Sequence, residues 1–220
     1  MRVPLVTLTA LLALPGGTSL VAQEDRPGLP VELWQVPAGW SVRLDRPDAK
    51  IEDVKVVTMG NGLHVTLGPA ILLYREGDRA SGSYRVAATF TLTKPAAHPE
   101  AYGLFVGGSE LQGDGQRYLY FLIRQDGKFL VKRRSGAETQ TIIEWTGHES
   151  VRAPEGEASG TNELAIDVGA EQVRFLVNGA QVASLPRADV DAQGVYGYRV
   201  NHRLDLHLSP IAKSGGGATR

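Results

Sequence analysis

Residues 118–134 read YLYFLIRQDGKFLVKRR, two alternating runs joined by a turn, and they narrow the fold more than any other segment. Alternation at period two, in aromatic and branched side chains, marks paired β-strands. The loop between them decides which residues face each other. A two-residue loop at Asp126 and Gly127 sets Arg124 opposite Phe129 and leaves both faces mixed. A three-residue loop, with a type I turn and Gly127 as a left-handed bulge, pairs Arg124 with Lys128 and Ile123 with Phe129. Leu119, Phe121, Ile123, Phe129 and Val131 then share a core face. Tyr118, Tyr120, Arg124, Lys128 and Lys132 share the opposite one, joined by Leu122 and Leu130, as an expected cationic surface bearing tyrosines.

The rest of the chain repeats this theme. Strands are expected at 40–44, 54–58, 63–67, 71–74, 83–92, 102–106, 141–145, 163–168, 172–177, 194–200 and 204–208, at the short spacing of a sandwich. In the 83–92 run Tyr84, Val86, Ala88, Phe90 and Leu92 alternate with Arg85, Ala87, Thr89 and Thr91. Asn178-Gly179 is a type I′ hairpin signal, expected to set Phe175 against Val182 and Val177 against Ala180. No segment after the N-terminus has a 3.6-residue period. The expected fold is therefore all-β, a single two-sheet antiparallel jelly-roll sandwich over residues 31–210.

Before it, Arg2 precedes a short apolar run at 3–14, closed by Pro15, Gly16 and Gly17 with small residues around Ala22. This reads as a signal peptide over 1–22, because roughly 12 apolar residues fall short of the ~20 that span a bilayer. A polar lead-in follows at 23–30, and a flexible tail is expected at 211–220. The chain has no cysteine, which excludes thiol catalysis and cysteine-ligated metal and leaves stability to core burial. Export to a bacterial periplasm or exterior fits these features, with no membrane insertion once the signal is removed. A net charge of -1 gives no electrostatic case for nucleic acid.

GLFVGG at 103–108, the hairpin YLYFLIRQDGKF at 118–129, FLVNG at 175–179 and the glycines at 194 and 197 resemble the concanavalin A-like lectin and glucanase superfamily. Within it the chain is similar to the laminin G-like and 3-keto-disaccharide hydrolase (DUF1080) group of secreted bacterial domains. The likeness spans about residues 31–208 and implies a carbohydrate or another extracellular polymer as partner. Glucanases of this fold carry Glu-x-Asp-x-x-Glu on a strand, which sets three carboxylates on one face. That string is absent; residues 51–53 and 143–144 are the nearest acidic segments. The opening at 33–36, LWQV, also departs from the Phe-Asn-Gly-Lys-like start of the hydrolase group.

Two kinds of site are expected. For saccharide binding, Tyr118, Tyr120, Arg124, Lys128, Lys132 and Tyr198 offer flat apolar rings, hydroxyls and forked cations, the alternative being that the hairpin tyrosines pack against a covering loop and the cations form a solvated face. For chemistry on a sugar derivative, by hydrolysis or elimination of a glycosidic bond, Glu144, His148, Glu149 and His202 are the only candidates. A structural or adhesive domain is the third reading. No cofactor is indicated, and the five histidines lack ligand spacing, although Asp114, Asp126 and Asp189 are hard oxygen donors of the kind calcium takes. No phosphate loop and no Gly-x-Ser-x-Gly elbow is present.

Overall fold

The computed structural model describes residues 36–156 and 159–215. The expected signal peptide, the lead-in and the LWQ of the opening at 33–36 lie outside the described residues. Fifteen strands run through the described chain: β1 (Ser41–Leu44), β2 (Val54–Met59), β3 (Gly62–Leu67), β4 (Ile71–Ala80), β5 (Tyr84–Leu92), β6 (Ala101–Ser109), β7 (Arg117–Arg124), β8 (Lys128–Ser135), β9 (Glu138–Gly147), β10 (Gly160–Val168), β11 (Gln172–Val177), β12 (Ala180–Pro186), β13 (Gly194–Val200), β14 (Asp205–Leu208) and β15 (Ala212–Gly215). The only helical pieces among the described residues are two single 3-10 turns, Ile51–Asp53 and Arg187–Asp189.

The strands form two antiparallel sheets. One has the order β1-β4-β13-β6-β7-β8-β9, and the other β12-β11-β10-β5-β14-β3-β2, with β15 also paired to β5. The core lies between them, because each strand turns its apolar alternate residues inward. In β5, Tyr84, Val86, Ala88, Phe90 and Leu92 are buried while the residues between them are half-exposed. Phe121 of the first sheet meets Phe175 of the second at 5.3 Å between ring centroids, and Phe90 meets Tyr102 at 5.5 Å. With no disulfide to restrain the unfolded chain, these inter-sheet contacts carry the fold, each large side chain contributing about 1.5–3 kcal/mol.

The hairpin register follows its turn. Gly127 has φ +80°, Arg124 pairs with Lys128, and Ile123 with Phe129. At Asn178 and Gly179 both φ angles are positive, as a type I′ turn requires, and Val177 pairs with Ala180. Phe175, however, faces Ala183 rather than Val182, because the ladder slips by one residue between Phe175 and Leu176. Of the tail expected at 211–220, Ala212–Gly215 is instead a strand on the β5 edge left free beyond β14, where β5 still has unpaired backbone groups to satisfy, and 216–220 lie outside the described residues.

Candidate functional site

The face of the seven-stranded sheet turned away from the core carries a second apolar cluster, separate from the one between the sheets. Registers align its members in rows. Ser41, Tyr74, Gly197, Phe105, Tyr120 and Lys132 are successive partners across six strands. Arg43, Leu72, Arg199, Gly103, Leu122 and Leu130 form the row beside them. Gly197 is required in the first row, since a Cβ there would stand 2.7 Å from the Phe105 ring and 2.8 Å from Tyr74 Cβ. Its absence lets those two rings meet edge to face at 6.1 Å. Leu111, from the segment 110–116 between β6 and β7, joins the same cluster.

Arg199 stands out in this face. It is 6% exposed, and neither its Nε nor its Nη1 has a hydrogen-bond partner. Nη1 lies 3.1 Å from Oδ1 of Asp45, close enough for an ion pair but too oblique for a hydrogen bond. The guanidinium stands over the Tyr120 ring at 5.9 Å. Burial opposes the charge, but Tyr118, Asp45 and Tyr120 outweigh it and hold the arginine pKa above its ordinary value. Burial raises the Tyr118 and Tyr120 phenols, the latter to about 12, while the nearby Arg199 and Arg134 pull the other way. Both rings are therefore neutral hydrogen-bonding groups beside a permanent cation.

Next to this cluster lies a cavity of about 600 Å³. Asp45, Arg43, Gln112, Gln116 and Arg134 are among the residues that line it, and Asp45 connects it to Arg199. Arg43 pins the 110–116 segment in place by donating Nη1 to the carbonyls of Leu111 and Gly113, at 3.1 Å each. Gln112 donates to the Tyr74 hydroxyl at 2.7 Å. Arg134 donates Nε to the carbonyl of Gly136 at 2.7 Å. Neutral backbone oxygens thus orient Arg43 and Arg134 without cancelling their charge.

The saccharide-binding candidates fall into three groups. Tyr118 and Tyr120 belong to this cluster, but they are 3% and 7% exposed, so of the two arrangements open to the sequence the face takes the packed one. Arg124, Lys128 and Lys132 share their face, yet Arg124 lies over the Trp145 ring at 4.3 Å and donates to Asp126 at 2.7 Å, with Lys128 3.5 Å from the same carboxylate. That pairing holds Asp126 below the usual carboxylate range, against the effect of burial. Tyr198 is placed on the opposite side. Fully buried, it stacks on Trp40 and donates its hydroxyl to the Ser209 carbonyl at 2.6 Å. As the chain neighbour of outward-facing Arg199 it has to point inward.

The chemistry candidates do not meet. Glu144 and Glu149 are exposed, and His148 sits at the end of β9 with its ring edge-on to Phe129. His202 follows β13 and pairs with Glu100 at 2.9 Å. Four inter-strand steps separate β13 from β9, roughly 19 Å at the usual strand spacing. Asp114 and Asp126 lie at opposite ends of the β7–β8 hairpin. No group of three or more metal-ligating side chains forms among the described residues.

Sequence reasoning missed Arg199, Asp45, Arg43 and Arg134 as a group. One signal was present: Arg199 is the only charged residue in GVYGYRV, at a position whose parity sets it on the face opposite Tyr196, Tyr198 and Val200. The partners come from β1, from Asp45 just after it and from β8, and could not be assigned to it without the strand order.

No family model matches the chain, and no curated protein matches it. Several solved structures do. A carbohydrate-binding module, CBM66, from Bacillus subtilis aligns with TM-score 0.57 at 8% identity, over 80% of this chain and 96% of that one. The carbohydrate recognition domain of Emp46p aligns with TM-score 0.54 at 11% identity, over 85% and 91%. Alginate lyase A1-II′, of polysaccharide lyase family 7, aligns with TM-score 0.52 at 10% identity, over 82% and 96%. The chain folds as a two-sheet antiparallel jelly-roll sandwich. At such identities the likeness is one of fold, and fold does not carry function with it.

Proposed function

We propose that the chain is a carbohydrate-binding sandwich without catalytic activity, exported from the cell, and that it takes its ligand at the outer face of the seven-stranded sheet. The observation that carries this reading is the cavity of about 600 Å³ walled by Asp45, Asp114, Gln112, Gln116 and three guanidinium groups, beside a bank of tyrosines. Sugars are bound by such a mixture, with apolar ring faces for C–H groups and planar polar groups for hydroxyl pairs. The carbohydrate-binding module and the recognition domain that share the fold support the same direction. The separation of Glu144 and His148 from His202 speaks against assembled acid–base chemistry. Export rests on the N-terminal 1–22 segment and the absence of cysteine. The narrower kinship we propose is to the laminin G-like and 3-keto-disaccharide hydrolase group, on the hairpin glycines alone.

The test is titration calorimetry of the purified protein against a panel of neutral and acidic oligosaccharides. Saturable binding, weakened several-fold by Arg134→Ala, is the expected result. If no member of the panel binds at millimolar concentration, the reading is wrong.

A further inference from the structure

Arg199 is costly to bury in the way it is found here. A guanidinium has five N–H donors in a planar fork, and it is normally taken out of water only when those donors are matched. Here Nε is buried without a partner, and Nη1 has only its oblique 3.1 Å contact with Asp45. The groups nearby accentuate the imbalance. Arg43 and Arg134 belong to the same cavity wall, and carbonyl oxygens rather than carboxylates hold them. Tyr118 lies within the field of all three arginines and of Asp45. Arg43 and Arg134 thus line, with Asp45 and Asp114, a space that can hold a sugar ring, while the third arginine of the wall, Arg46, is paired with Asp48 and Arg199 stands directly behind Asp45.

We propose that this is an anion subsite, and that the ligand is a carboxylate-bearing glycan, a polyuronate, whose carboxylate displaces Asp45 from Arg199 and takes its place at the guanidinium. This rests on the carbohydrate-binding reading and specifies the ligand class for the same face. A planar carboxylate matches two parallel N–H groups, which a hydroxyl pair on a neutral sugar does only in part. Asp45 acts as a resident stand-in: it keeps the empty site from carrying an isolated charge and competes with the incoming anion. Arg43 and Arg134 add attraction without directional demand, as suits a polymer with a charge on each residue.

The experiment measures affinity of the full protein for galacturonate, glucuronate and mannuronate oligosaccharides, for their methyl esters, in which the charge is erased, and for a sulfated galactan. At least one uronate should bind about tenfold or more tightly than its own ester, and Arg199→Met should remove about tenfold or more of that affinity. Asp45→Asn keeps the guanidinium and removes its competitor, so uronate affinity should rise by about threefold, which guards against Arg199→Met failing to fold. Esters binding as well as acids, unchanged affinity in Arg199→Met, or weaker uronate binding in Asp45→Asn overturns the subsite while leaving sugar binding intact. A sulfated galactan preferred over every uronate overturns the carboxylate assignment. Silence across all sugars, charged and neutral, removes the carbohydrate reading and this inference with it.

Discussion

Tyr198 and Arg199 are adjacent in the chain and occupy opposite faces of one sheet, the tyrosine locked between Trp40 and Phe90 in the core and the guanidinium lodged among Tyr118, Tyr120 and Asp45. Tyr198→Phe should therefore lower stability by about 1 kcal/mol, through loss of the bond to the Ser209 carbonyl, and leave glycan affinity unaltered. Paired denaturant melts and binding isotherms of the variant check this. A loss of affinity at unchanged stability would place Tyr198 at the ligand after all.

Asn162 is completely buried and joins three elements. Its Oδ1 accepts from the Arg152 amide and from Asn178 Nδ2, both at 2.8 Å, and its Nδ2 donates to the Arg152 carbonyl at 2.9 Å. Asn162→Ala strands all of these groups at once, so a cost of about 2–3 kcal/mol is expected. Asn178→Gly retains the left-handed turn geometry and loses only the side-chain bonds, and should cost less. Urea denaturation of the two variants gives the order.

Tyrosines set the alkaline limit. Burial pushes Tyr102 and Tyr120 up to about 12, against about 10 for a free phenol. A pKa raised on folding means the stabilisation is whole below about pH 10 and is lost as pH rises from there through about 12. Phenolate absorbance and circular dichroism followed together should change in one step over that interval. Early, gradual ionisation without unfolding would contradict the packed face.

On the outer side of the second sheet, burial tends to raise the Asp205 pKa, but bonds from Thr93 and Thr66 and the nearby His64 and Lys94 bring it below its ordinary 3.8. A depressed carboxylate stabilises above the unfolded value and loses that contribution as pH falls through the folded one. Asp205→Asn should cost about 1 kcal/mol at neutral pH and nothing near pH 2. Thermal melts at the two pH values compare the variant with the parent. A constant difference would show that the carboxylate's charge plays no part.

Alternation and turn chemistry were enough for the sequence to determine the local structure. Gly127 made a bulged turn and so separated Phe121 from Tyr120, and Asn178-Gly179 reversed the chain with Val177 against Ala180. Such features depend on φ preferences and a two-residue period, which neighbours along the chain settle among themselves. Even here Phe175 found Ala183, because a slip in the ladder depends on how β12 fits the sheet edge. The tyrosine face followed from parity, whereas the choice between an open surface and one packed beneath a loop stayed open, since exposure depends on what packs against a surface rather than on which side a residue points. The meeting of Arg199 with Asp45, Arg43 and Arg134 was decided by tertiary structure alone. It depends on β13 lying between β4 and β6, an order fixed by how two whole sheets close over a common core, and no local preference encodes it.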